Sequence, residues 1–376
     1  MNMERINAAI IGMGFIGRQH YEALRRLGNI HIRALCVSRP EKIAQAQAEF
    51  DADYVTADWR AIMRDPAVQV IHNCTPNIAH DEINLAAIAA GKHIYAEKPM
   101  SVTTEGAVRV AEAARAAGVA NAINHQYRMN AAVLEMRARV AAGDTGRTLY
   151  VSGCYLQDSV ARHDDYTPRR IPETSPARAL LDIGVHWADT ASFVLGQPIR
   201  RVYARMYTHY PVRIDPATGR EIEIHSDDTT AVMVEFADGT PGSAVFSKCM
   251  LGHKNDLRVA VSAELAEIAW QQELCDRLMV GSRAYGRQTL LMDRQFASRE
   301  AAAYLEMPAG HAPGWQEAEK NAMLAFYRSI EDGSYRTGCV PYATFEDGVR
   351  GNRFVDACLR SQTDDRWVEL EGDETV

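Results

Sequence analysis

An excess of positive charge is missing from this chain. It has 41 lysines and arginines against 49 aspartates and glutamates, a formal net charge of −8. Nucleic acid and anionic membranes attract the opposite balance, so neither is expected as a partner. No apolar run reaches the roughly 20 residues that a membrane-spanning helix needs. No basic, apolar leader opens the sequence. Cysteine is scarce: seven residues, at 36, 74, 154, 249, 275, 339 and 358, with no C-x-x-C pair. An odd, dispersed set gives neither a disulfide frame nor a zinc site, so reduced thiols, a cytoplasmic location and no metal are expected. Repeats and low-complexity segments are also lacking. What is left is an ordinary globular composition, 47% hydrophobic and 24% charged over 376 residues. That length is too great for one core, so two domains are expected.

The first third alternates short apolar runs with helical patterns. Ile6 to Ile11 reads as a strand, Gly12-Met13-Gly14-Phe15-Ile16-Gly17 follows at once, and a helical period runs from Arg18 to Leu27. Strand, G-x-G-x-x-G and helix is the dinucleotide-binding arrangement. Gly12 allows the tight turn, Gly14 admits the pyrophosphate, and Gly17 lets helix and strand pack. The next strand, Ile30 to Ser38, ends without the acidic residue that binds a ribose 2′-hydroxyl. Ser38-Arg39 instead leaves room and a charge for a 2′-phosphate, which tilts the expected cofactor from NAD towards NADP. Further strands are read at 68–73, 93–96 and 120–124, with six counted in all. The strand at 93–96 runs into Glu97-Lys98-Pro99, at the sheet end where open α/β folds place ligands. A doubly wound Rossmann domain over 1–128 is expected.

From Thr148 the pattern changes to long alternating strands with few helices. They are read at 148–156, 199–208, 229–236, 243–247, 257–262 and 265–271, with Asp238-Gly239 as a hairpin turn. This predicts an α+β domain over 129–376 with a large, mainly antiparallel open sheet. A helix at about 344–360 is expected to pack back towards the first domain. A second helix is read over 179–195. On an α-helix Asp182 and His186, at i and i+4, share a face, where a carboxylate can orient a histidine or both can meet a substrate. Gly184 between them suggests close approach of another group, nicotinamide or substrate. The segment Arg162 to Arg170, with Asp165, Arg169 and Arg170, is rich in groups that bind hydroxyls or an anionic sugar.

Taken together, these motifs resemble the Gfo/Idh/MocA oxidoreductase family over nearly the whole chain. Four elements carry the resemblance: the glycine loop with His20 beyond it, Cys74-Thr75-Pro76-Asn77 with His80, Glu97-Lys98-Pro99, and Asp182-Ile183-Gly184-Val185-His186. Tyr155 to Asp158 and Met307 to Trp315 are similar to a branch of that family containing levoglucosan and glycoside 3-dehydrogenases. The resemblance implies that Gly12, Gly14, Phe15, Ile16, Gly17, Ser38, Arg39, Thr75, Pro76, Asn77, His80, Glu97 and Lys98 bind the dinucleotide. It implies Lys98, His186 and Asp182 as catalytic residues. It also points to His125, Tyr127, Tyr155, Arg162, Asp165, Arg169 and Arg170 as substrate-binding candidates. The implied reaction moves a hydride between nicotinamide and a ring hydroxyl carbon of a sugar, glycoside or cyclitol. Two alternatives stay open. One is an NAD-dependent glycoside hydrolase working by transient oxidation, elimination and water addition. The other is a non-catalytic nucleotide-binding regulator. A homo-oligomer, dimer or tetramer, is expected because a broad open sheet needs a cover.

Overall fold

The computed structural model describes residues 5–166, 177–311 and 314–370. Its contacts divide the chain into two compact units. One comprises Met1–Met129 with Trp315–Asn352, the other Asn130–Gly314 with Arg353–Val376.

The first unit holds a parallel sheet of six strands: β1 (Ile6–Ile11), β2 (Ile30–Cys36), β3 (Tyr54–Thr56), β4 (Val70–Asn73), β5 (His93–Ala96) and β6 (Asn121–Ile123). Their order is β3-β2-β1-β4-β5-β6, and every pairing is parallel. The direction of winding reverses between β1 and β4, which opens a crevice at the carboxyl ends of the strands. Helices α1 (Phe15–Arg25), α2 (Ile43–Glu49), α3 (Trp59–Arg64), α4 (His80–Ala89) and α5 (Thr104–Ala117) connect the strands. A strand covered on both faces must be apolar throughout, and Ala8 to Ile11 are all buried. Local chemistry marks the helix ends. The Asp58 carboxylate accepts from Arg60 N at the start of α3, and Thr103 Oγ1 accepts from Gly106 N at the start of α5. Gly118 ends α5 at φ 62°. The long helix Trp315–Asp332 was not read from the sequence. Its buried Glu319, Ala322, Met323, Phe326 and Tyr327 recur at helical spacing.

The second unit is built on a nine-stranded sheet. Its strands are β7 (Thr148–Leu156), β8 (Ile199–Tyr207), β11 (Thr229–Phe236), β12 (Pro241–Ser247), β13 (Asp256–Ala263), β14 (Glu267–Gln271), β15 (Arg277–Ser282), β16 (Gly286–Leu291) and β17 (Val368–Glu369). Two short strands, β9 (Val212–Ile214) and β10 (Glu221–Glu223), pair separately. The sheet order is β16-β15-β14-β13-β7-β12-β11-β8-β17. Only the central β12–β7 pairing is parallel; the rest are antiparallel. The fold is thus a doubly wound α/β unit joined to an α+β unit with a mainly antiparallel sheet, as the sequence implies. The β11–β12 hairpin turns at Gly239, φ 86°.

The helix read over 179–195 is in fact two. A π-helical turn spans Leu180–Gly184, and the α-helix is Val185–Leu195. It lies against the sheet through Trp187. A Cβ at Gly153 would stand 2.2 Å from the Trp187 indole nitrogen, so a side chain at 153 would displace the helix. Gly184 does a similar job. A Cβ there would meet Phe246 Cδ2 at 2.8 Å. The group that approaches Gly184 is therefore a core phenylalanine, where the sequence suggested nicotinamide or substrate.

Candidate active site

The glycine loop of the first unit fits a diphosphate. Gly12 has φ 99°, and a Cβ on it would stand 2.5 Å from the Cys74 carbonyl oxygen. A Cβ on Gly17 would stand 2.0 Å from Gly12 O. Both positions exclude any larger residue. Gly14 caps α1 without a side-chain bond, and the first turn carries no acidic residue. No acidic side chain of that turn therefore competes for its amide groups, which suits an anion site. Ser38 and Arg39 are exposed beyond β2.

Asn73, at the end of β4, shapes the next turn. Its Oδ1 accepts from Thr75 Oγ1 at 2.7 Å, and its Nδ2 donates to Asn84 Oδ1 at 2.8 Å. Pro76 and Asn77 stay exposed. His80 is buried, with Nδ1 2.7 Å from Pro99 O and Nε2 2.9 Å from Thr75 O. Its ring therefore joins the Thr75 turn to the Lys98 turn. The Lys98-Pro99 peptide is cis, and Lys98 is half-buried.

Glu97 turns inward. Its carboxylate, 7% exposed, takes Asn124 Nδ2 at 2.5 Å and His20 Nε2 at 3.1 Å. The same His20 nitrogen is 3.1 Å from Glu319 Oε1, and Asn124 Nδ2 also reaches Glu319 Oε2 at 3.0 Å. Burial alone would push the His20 imidazole down. Cys74, Glu319 and Glu97 overcome this and hold it well above its usual value. His20 is thus an imidazolium donating from both nitrogens, its Nδ1 lying 2.9 Å from His72 Nδ1. His72 is pushed far down by burial and by that cation, so it is neutral. Its remaining proton sits on Nε2, 2.8 Å from the Tyr327 hydroxyl. Burial pushes Glu97 up, but its bonds from His20 and Asn124 and the charge of Lys98 hold it below the usual carboxylate range. The sequence singled out His20 only as part of a motif and missed Glu319 and His72. Glu319 lies far along the chain and within a helix that the sequence reading did not find.

In the second unit, Asp182 forms an ion pair with Lys248, whose side chain is 9% exposed. Lys248 directly follows β12 and had no signal in the sequence. The His186 ring, buried, lies 6.2 Å from the Tyr155 ring between centroids. Tyr155 is itself buried, and its hydroxyl donates to Asn255 Oδ1. The exposed Arg162 pairs with Asp164 at 3.2 Å, and its backbone N–H donates to Asp165 at 2.9 Å. That part of the loop forms local bonds. Arg169 and Arg170 lie outside the described residues. His125 and Tyr127 are buried in the first unit after β6.

A glycine loop on a doubly wound sheet and a lysine turn at its carboxyl end define a nicotinamide-dinucleotide oxidoreductase. Two family models match: the GFO/IDH/MocA NAD-binding Rossmann fold over residues 6–125, and the GFO/IDH/MocA C-terminal domain over 133–268. The chain belongs to the Gfo/Idh/MocA oxidoreductase family, which includes NAD-dependent sugar and cyclitol oxidoreductases. It is similar to levoglucosan dehydrogenase of Pseudarthrobacter phenanthrenivorans, 28% identical over 98% of this chain and 99% of the relative. It is 29% identical to 1,5-anhydro-D-fructose reductase of Ensifer adhaerens, over 96% and 98% respectively. Among solved structures, levoglucosan dehydrogenase in complex with NADH and L-sorbose matches with a TM-score of 0.90. It is 26% identical, over 98% of this chain and 99% of that one. Among the described residues, no helix is long and apolar enough to cross a membrane.

Proposed function

We propose that this protein is a dehydrogenase acting on a ring hydroxyl of a sugar, glycoside or cyclitol. The observation that carries this reading is the Glu97-Lys98-Pro99 turn, fixed from both sides at the carboxyl end of β5 in the unit that holds the glycine loop. A dinucleotide held by the Gly12–Gly17 loop would supply a hydride acceptor or donor, C4 of its nicotinamide. Lys98 donates a hydrogen bond to the reacting oxygen and stabilises negative charge as it develops there. His186 takes the hydroxyl proton during oxidation and returns it during reduction. Lys248 holds Asp182 as a carboxylate, whose negative charge favours the protonated His186 that results. Tyr155 packs against the His186 ring and limits its orientation.

The three relatives named above are two dehydrogenase matches and a reductase; none is a hydrolase. For the cofactor, exposed Ser38-Arg39 favours the 2′-phosphate of NADP. The likeness to an enzyme crystallised with NADH favours NAD. Replacing Lys98 or His186 by Ala is expected to lower kcat about 100-fold or more, the usual scale of acid–base and oxyanion groups. Dinucleotide affinity should stay within about threefold, because neither change removes a phosphate contact. Near wild-type turnover in both variants would refute the assignment.

A further inference from the structure

The mechanism leaves unused a buried cluster of ionisable groups in the first unit, His20, Glu97 and Glu319. We propose that His20 and Glu319 are positioning residues for Lys98: with Glu97 they form a buried triad carrying one excess negative charge, which fixes the Lys98 turn and holds its ammonium protonated. The inference rests on the reading of Lys98 given above.

Three elements meet at one imidazolium. His20 lies on α1, whose N-terminus fits the diphosphate. Glu97 directly follows β5, and Glu319 lies on the helix Trp315–Asp332. The residue before Lys98 is thereby held at two points. Its amide donates to Asn73 O at 2.9 Å, and its carboxylate binds His20 and Asn124. The charges do not cancel: two carboxylates face one imidazolium. Among the described residues, the triad is bonded to or packed on Cys74, His72, Tyr95 and Asn124, with Tyr327 behind His72. None supplies a balancing cation. The Cys74 sulfur carries no positive charge in either form, burial keeps both phenols neutral, and His72 is uncharged. Lys98, whose charge already acts on Glu97, is the counter-ion. A lysine held this way serves as a hydrogen-bond donor, which leaves proton abstraction to His186.

Glu319→Gln keeps the shape and removes one charge. The expected results are a roughly tenfold lower kcat, NADH affinity within about threefold, and an alkaline limb of the kcat/KM profile moved down by about one pH unit. Glu319→Asp should leave that limb in place. Lys98→Ala, run in parallel, separates the two claims. If Lys98→Ala is inactive while Glu319→Gln matches wild type in kcat and pH profile, the positioning role alone fails. If Lys98→Ala is active, both fail. Loss of thermal stability in Glu319→Gln with an unmoved alkaline limb would mean a structural role only, and overturns the proposal. Should Glu319→Gln not fold, histidine 15N spectra of the wild-type holoenzyme decide. One of the 12 histidines must remain doubly protonated well above the usual pKa of about 6.5. Titration of every histidine in its usual range would refute the charged triad.

Discussion

Lys248 shows how much a single side chain can hide from sequence. No motif marks it, yet its ammonium meets Asp182 where the strand β12 ends. Replacing it by Met keeps the length and removes the charge. Asp182 then loses its neutralising partner, so both its carboxyl and the His186 imidazole become easier to protonate. The acid limb of the kcat/KM profile should move to higher pH, and kcat/KM should fall about tenfold or more, with partial recovery in Lys248→Arg. A wild-type profile in Lys248→Met would show that the pair has no part in the reaction. The glycines, by contrast, were legible. Gly12 and Gly17 sit where a side chain would strike backbone, so the chemistry permits no substitute and the pattern is readable. Glu319 and Lys248 could be almost any polar residue in an isolated strand or helix. Their meaning comes from partners distant in sequence.

Among the elements, the π turn Leu180–Gly184 matters most. An α-helical reading puts Asp182 and His186 on one face. The wider turn changes the angle between them and presents Asp182 to Lys248. Sequence periodicity cannot detect this, because one inserted turn leaves the apolar spacing on either side intact. Gly184 ends the turn with helical angles, φ −62° and ψ −37°, so alanine carries no backbone penalty there. A methyl would nonetheless stand 2.8 Å from Phe246 and 3.1 Å from Leu180. Helix propensity favours Gly184→Ala by about 1 kcal/mol, and overpacking costs about 1–3 kcal/mol. A net loss of stability is expected in urea unfolding. Gly184→Ala combined with Phe246→Leu should lose less than the sum of the single changes. Additive losses would mean that the contact is not what makes glycine necessary.

At the scale of the whole molecule, the alternating strands and helices of the first unit and the strand-rich second unit were both readable, since burial on two faces or one leaves different periods. The helix Trp315–Asp332 was not, because the sequence places it after the second unit while its contacts belong to the first. The sheet of the second unit presents an uncharged, partly exposed row. Tyr203, Met233, Ser243, Ser152, Ala260 and Ala269 form one row in register across six strands. All six are at least partly exposed and none is charged. We propose that a second copy of the chain covers this face. Light scattering is expected to report a dimer or tetramer, and Met233→Lys to shift it towards monomer; a monomeric wild type would remove the proposal.

The central claim is net hydride transfer to or from a carbohydrate hydroxyl. The direct measurement is a panel of sugars, cyclitols, anhydrosugars and aryl glycosides, followed at once by NAD(P)H absorbance and aglycone release. Wild type should produce one reduced dinucleotide per substrate oxidised, with Lys98→Ala about 100-fold slower or worse. Arg39→Ala, run with both cofactors, should lose efficiency selectively with NADP if Arg39 reads the 2′-phosphate. Aglycone release without accumulating NAD(P)H, or reduction that persists undiminished in Lys98→Ala, would contradict the account.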